Sequence, residues 1–346
     1  MTVSGVLPSQ SIVALIESGA ISSTVPIGEG QIQPASLDLR LGARAFRVRA
    51  SFIPGPAVRT KEQIDRFVLH TVDLGRGAVL EVGCVYVAEI EETLALPSDI
   101  SGAANPKSST GRLDVFTRVI ADHGPGFDQT GPGYRGRLYL EICPQTFPIL
   151  VRTGSRLSQI RFRCAGETGR AAGGDHPREV ALSVDLGGGG ASALIGYRAK
   201  RHTGVIDVDQ TGAYDVDEFW DPLMATPQKL LILDPDQFYI LASKEAVRVP
   251  ATHAAEMEPF NALMGEFRVH YAGFFDPGFG MAEAGGQGSR AVLEVRSHKV
   301  PFILEDGQMI GRLIYEPLSE PPAQLYGCGI GSHYQAQALK LSKHFR

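Results

Sequence analysis

The chain has 346 residues, 43% hydrophobic and 21% charged, with a formal net charge of −5. That length supplies two domains of ordinary size, the apolar fraction excludes a wholly disordered chain, and the irregular spacing of the 40 glycines excludes collagen. The acidic balance removes the overall basic excess that marks binders of nucleic-acid polymers.

Residues 11–19 read as a short helix. Ser11 is placed to cap it, Ile12, Leu15 and Ile16 share a face, and Gly19 ends it. Residues 60–67 read as a second helical turn. Most other signals are strands, at 78–90, 137–142, 230–241, 291–295 and 309–315, rich in Val, Ile, Leu and Tyr and punctuated by Gly, Pro and Asp. Nothing alternates strands with long helices, so the fold class is mainly β with a few short helices. The polar, Gly-rich stretch 165–180 and the four glycines at 187–190 read as linker, which divides the chain into domains at 1–170 and 171–346.

Four cysteines, Cys84, Cys143, Cys164 and Cys328, form no C-x-x-C pair and read as free thiols of a reducing cytoplasm. Residues 1–10 carry no secretion-signal pattern, and no apolar run nears the ~20 residues that span a bilayer, so a cytoplasmic protein without membrane partners is expected.

One offset relates the two halves. Tyr86 and Tyr239, Pro97 and Pro250, Arg137 and Arg290, Glu141 and Glu294, and Gly154 and Gly307 are each 153 apart. Five landmarks without a gap predict a tandem duplication. The copies are unequal. Lys107, Ser108, Ser109 and Arg112 fall on Phe260, Asn261, Ala262 and Gly265, so only the first copy has a charged, hydroxyl-rich loop there.

That loop, NPKSSTGRL at 105–113, suits a polyphosphate. Hydroxyls and backbone N–H groups donate to phosphate oxygens, while Lys107 and Arg112 balance charge. Its alternative role is an ordinary helix cap by Ser108 or Ser109. Glu141, in the strand RLYLEI, alternates onto the face opposite Leu138, Leu140 and Ile142. It reads either as a solvated or salt-bridged strand carboxylate or, partly desolvated, as a general base. GPGYRG at 131–136 matches G-x-G-x-x-G, but a strand follows it where a dinucleotide site needs a helix, so it reads as a β-turn. The H-x-E and P-C-x-x-C patterns of zinc deaminases are absent from the sequence, as is a Walker A motif.

Six stretches act together: QPASLDLRLG at 33–42, KSSTGR at 107–112, Val119–Ala121, Phe127-Asp128 with Pro132-Gly133-Tyr134, Glu141 in L-E, and SHYQAQ at 332–337. In these the chain resembles the dCTP deaminase family of the dUTPase-like superfamily, in a double-length form. It departs from the family pattern in the lengthened 121–134 loop, in His333 for a lysine, and in a second copy that keeps Asp276-Pro277-Gly278-Phe279 and Glu294 without the phosphate loop.

The resemblance implies a dUTPase-like β-clip fold in each copy and sites shared between neighbouring domains of a homotrimer. It implies hydrolytic deamination of dCTP to dUTP and ammonia without a metal at the base, feeding dUTP and dTTP synthesis. Glu141 would be the base, with Ser108 and Arg112 as catalytic partners. Lys107, Ser109, Ala121, Asp128, Tyr134, Tyr334 and Gln337 would bind substrate, with Mg²⁺ carried on the triphosphate. The tail after Gly331 would close as a lid contributing little to the core. Partners would be dCTP and, as an effector, dTTP or dUTP. The alternatives are a dUTP pyrophosphatase, an enzyme performing both steps, or a non-catalytic deoxynucleotide-binding regulator.

Overall fold

The computed structural model describes residues 4–28, 30–124, 126–165, 178–188, 193–259, 267–269, 273–282, 288–297, 299–327 and 339–346. The described chain is mainly β. Four short helices accompany the strands: α1 (Ser9–Glu17), α2 (Thr60–Phe67), α3 (Ser108–Gly111) and α4 (Val216–Phe219). α1 starts two residues before the expected position because Pro8, not Ser11, is its N-cap; proline's fixed backbone angle suits that boundary. The expected strands at 78–90 and 230–241 each break in two, giving Ala78–Leu80 with Tyr86–Ala95, and Leu230–Leu233 with Phe238–Val247. Gly83, at φ 73°, and Asp236, at φ 57°, turn the chain at those breaks. GPGYRG is the expected turn: the Tyr134 N–H donates to the Gly131 carbonyl at 3.2 Å, and the Arg135–Pro144 strand follows. Most of the expected linker, and SHYQAQ, lie outside the described residues.

The first half builds two six-stranded sheets. One runs Val115–Ala121, Arg135–Pro144, Tyr86–Ala95, Leu41–Val48, Val68–Asp73, with Ile21–Ser23 beside Tyr86–Ala95. The second half has a five-stranded counterpart in the same spatial order: Phe267–Val269, Ser289–Ser297, Phe238–Val247, Leu194–Ala199, Trp220–Met224. Pairing registers repeat at the offset of 153. Glu141 opposite Val87 corresponds to Glu294 opposite Ile240, and Ile149 opposite Leu80 to Phe302 opposite Leu233.

The halves are packed into one another. Ile149 and Leu150 pair in parallel with Ile206 and Asp207, and the largest core cluster mixes Leu37, Leu140 and Phe162 with Trp220, Phe238 and Val292. Arg161, fully buried in the Ser158–Cys164 strand, donates across the seam to the carbonyls of Ala255 (3.1 Å) and Phe275 (3.3 Å). Arg296 reaches back to pair with buried Asp114. The last eight residues correct one expectation. Leu341, Ser342 and His344 are buried, and Phe345 stacks on Tyr214, Phe219 and Trp220, so this end of the chain belongs to the core and is no part of a dispensable lid.

Candidate active site

The loop KSSTGR leaves the Ile100–Pro106 strand and forms α3. Lys107 is its N-cap, in extended conformation, and no side chain caps the helix, so neither serine is consumed in the ordinary capping role. The Lys107 ammonium pairs with Asp38, a buried carboxylate of the Ser36–Leu39 strand, and Arg156 lies 3.6 Å from the same carboxylate. Behind the loop, Arg112 donates to the Lys340 carbonyl at 2.8 Å and Ser342 Oγ donates to the Ser109 carbonyl at 2.7 Å. The C-terminal segment therefore holds the loop in place.

Lys107, Ser108, Ser109 and Arg112 face a cavity of about 490 Å³ whose opposite wall comes from the second half. Val292 and Glu294, two apart on one face of the Ser289–Ser297 strand, both point into it. Glu294 lies 3.8 Å from the Arg112 guanidinium, each side chain under 5% exposed. Burial pushes the Glu294 carboxyl up to about 7, against the pull of Arg112. Asp276 also lines the cavity, 3.6 Å from buried Arg161; burial raises its pKa, and Arg161 opposes the rise.

An aromatic wall completes the cavity. Phe275 and Phe279 meet edge to face at 5.1 Å, and Tyr326 packs on Phe279 at 5.7 Å. Gly278, at φ 93°, makes this packing accessible, because a Cβ there would press on Leu325 at 3.0 Å just where the Tyr326 N–H donates to the Pro277 carbonyl. The cavity lining thus offers cations and hydroxyls, flat apolar faces, and a buried carboxylate facing an arginine. That is the complementarity of a planar base joined to a polyphosphate.

Residues 3–167 match the N-terminal domain, and residues 168–345 the C-terminal domain, of 2'-deoxycytidine 5'-triphosphate deaminase. This chain belongs to the dCTP deaminase family. The crystal structure of 2'-deoxycytidine 5'-triphosphate deaminase from Agrobacterium tumefaciens is similar over 91% of this chain and 99% of its own, at 58% identity and a TM-score of 0.85. A dUMP-forming dCTP deaminase of Parafrankia sp. is 36% identical over 167 residues, 44% of this chain and 73% of the relative. The dCTP deaminase of Haloarcula marismortui is 31% identical over 134 residues, 38% of this chain and 66% of the relative. The chain is an enzyme of the dCTP deaminase class.

The residues expected of a dCTP deaminase divide by place. Lys107, Ser108, Ser109 and Arg112 come together at the cavity, whereas Glu141, Ala121, Asp128 and Tyr134 do not line it. Glu141 is buried against Arg118, its neighbour on the adjacent strand, with Nε to Oε1 at 2.9 Å. That guanidinium stacks on Phe127 at 3.7 Å from the ring centre and donates to Ser51 Oγ at 2.7 Å, filling the space beside the carboxylate. Asp128 clasps the Val119 backbone, accepting its N–H at 2.7 Å and donating to its carbonyl at 2.8 Å; burial pushes its carboxyl to about 7. Ala121 ends the Val115–Ala121 strand, and its carbonyl accepts from the Gly124 N–H. The Tyr134 hydroxyl donates to the Arg137 carbonyl at 2.6 Å and accepts from the Asp122 N–H at 3.0 Å, a turn-fixing role. Tyr334 and Gln337 lie outside the described residues.

Sequence reasoning passed over Glu294, Asp276, Tyr326, Arg156 and Lys343, all of which line the cavity. For the first two a signal existed: the second copy keeps DPGF and L-E intact, and the first keeps the phosphate loop but has an interrupted Asp128 motif.

Proposed function

We propose that the chain deaminates dCTP to dUTP and ammonia in the cavity between its two halves, with the phosphate loop taken from the first and the base from the second. The observation that carries this reading is Glu294 facing Arg112 across the seam at 3.8 Å, both buried, beside Ser108. Glu294 accepts a proton from water as the water oxygen bonds to C4 of cytosine, and returns that proton to N3. It then takes the remaining proton from the new C4 hydroxyl and delivers it to the amine, so the C4–N bond breaks, the C4 carbonyl forms and ammonia leaves. A carboxyl held near 7 can both take and return a proton at neutral pH, which a solvated glutamate does poorly. Arg112 keeps the carboxylate oriented, and Ser108 orients the water or a phosphate oxygen. Asp276 and the aromatic wall seat the nucleoside.

Lys107 and Ser109 bind the triphosphate, which enters as its Mg²⁺ complex, the hard cation riding on phosphate oxygens. In this reading Tyr334 and Gln337 add phosphate contacts from the tail, the two halves descend from one duplicated domain, and chains assemble as cytoplasmic homotrimers. The repeated strand order and registers support the duplication. Glu141, sealed by Arg118, takes no part in the chemistry.

Incubation with dCTP and Mg²⁺, following ammonia, dUTP and pyrophosphate together, tests the reading. Ammonia and dUTP in equal amounts without pyrophosphate is the expected result, and absence of ammonia overturns it. Pyrophosphate matching ammonia would establish the second reading, an enzyme performing both steps, which the dUMP-forming relatives favour.

A further inference from the structure

We infer that Lys343, eight places beyond the family-like tail motif's Gln335, binds the phosphate chain and sets the preference for a triphosphate over shorter phosphate esters. This rests on reading the cavity as the dCTP site. Lys343 lines the cavity together with Lys107, Ser108, Ser109 and Arg156. Its backbone is fixed from three sides. Ser342 Oγ donates to the Ser109 carbonyl at 2.7 Å, the His344 ring meets the Val208 carbonyl at 3.0 Å, and the Lys343 carbonyl accepts the Gly212 N–H at 3.0 Å. Leu341, Ser342 and His344 are buried, so residue 343 is held beside the phosphate loop while its stem lies half-buried against the cavity.

The charges around it explain what it would recognise. Lys107 pairs with Asp38, Arg156 lies 3.6 Å from that carboxylate, and Arg112 faces Glu294. Lys343 stands in the field of Lys107 and Arg156 on one side and of Asp38 and Asp209 on the other. Burial, with the Lys107 charge adding to it, lowers its pKa, and the Asp38 and Asp209 carboxylates oppose that shift, so the ammonium carries a desolvation cost. A phosphate chain adds several negative charges among these cations and relieves that cost, and the gain grows with each phosphate that reaches the cluster. A monophosphate ester, confined to the nucleoside end, would gain least.

The test uses the full chain with Lys343→Met, Lys343→Gln and Lys343→Arg. It measures kcat and KM for dCTP, and inhibition by dCMP, dCDP and inorganic tripolyphosphate. The neutral variants should raise the dCTP KM by about 10-fold or more, the equivalent of one charge-assisted hydrogen bond, and weaken tripolyphosphate similarly. They should leave dCMP inhibition unchanged and kcat within about 3-fold, because the contact is equal in ground and transition states. Lys343→Arg should restore most of the dCTP KM. If Lys343→Met unfolds, judged by its thermal midpoint, Lys343→Gln supplies the same comparison with a polar stem. An unchanged dCTP KM in the neutral variants, or equal weakening of dCMP and dCTP, would overturn the assignment while leaving the site intact. Failure of the wild-type chain to turn over dCTP would instead overturn the reading of the cavity.

Discussion

Two glutamates at equivalent places in the repeat have opposite surroundings. Glu294 looks into a cavity across from Arg112, whereas Glu141 is covered by a stacked Arg118. Replacing Glu294 by Gln should therefore cost at least ~10²-fold in kcat, and Glu141→Gln should change it little. Steady-state rates of the two variants decide; equal losses would return the base to Glu141. The pH dependence has a definite sign. As a base, Glu294 must be ionised, so kcat/KM should rise through an acidic limb near 7 and level off above it. Stability runs the other way. Between the ordinary glutamate range and about 7 the unfolded chain has lost this proton and the folded chain still holds it, so the contribution of Glu294 to stability is full below that window and lost as pH rises through it. Urea unfolding of wild type and Glu294→Gln at pH 5 and pH 8 should show a pH-dependent difference confined to that group.

At the scale of elements, the seam depends on strands that carry polar groups into the opposite half. The Ser158–Cys164 strand sends Arg161, wholly buried, to two carbonyls and to Asp276 of the other half. Arg161→Met fills the volume but leaves those acceptors and the Asp276 carboxyl without their cation. A loss of about 3 kcal/mol in unfolding free energy is expected, with reduced dCTP affinity because Asp276 lines the site. A variant as stable as wild type would show that the seam is held by packing alone. The C-terminal segment behaves as an element too. Leu341→Ala removes a side chain 7% exposed from the shared core and should cost about 2–4 kcal/mol. It should also raise the dCTP KM, since the same segment braces Arg112 and Ser109. Thermal melts and kinetics together check both effects.

For the whole molecule, the cavity draws different parts from the two halves. The loop comes from one and the uninterrupted DPGF and Glu294 from the other, and the chain folds so that these meet. One dCTP per chain follows, rather than two, and calorimetric titration of Glu294→Gln, which binds without turnover, should give a stoichiometry near one. In the same picture the base chemistry needs no zinc, so zinc-selective chelation should leave the rate unchanged when Mg²⁺ is kept. Light scattering is expected to show a trimer of chains. Because the loop and Glu294 come from one chain, dilution to monomer should not by itself dismantle the contact between them.

Composition, periodicity and the 153-residue repeat were sufficient to read a mainly β chain of two related halves, with α2 at its observed bounds, and to single out the loop at 107–112 that lines the cavity. Those features are local: hydrophobic alternation fixes strands, and a run of hydroxyls between cations is visible wherever it sits. Residues 78–90 and 230–241 read as single strands because apolar content alone does not register a turn at Gly83 or Asp236. Which glutamate faces the loop was not local. Glu141 and Glu294 carry the same L-E signal, and Glu141 shares its half with the loop, so proximity along the chain favoured it. Packing puts Glu294 at the cavity instead, because the half that holds Lys107 to Arg112 presents them to the strand bearing Glu294 and fills the neighbourhood of Glu141 with Arg118 and Phe127. Which carboxylate meets which cation depends on how two sheets are docked, and that is set by contacts between residues more than a hundred apart, such as the Arg161 guanidinium donating to the Phe275 carbonyl, which no motif couples.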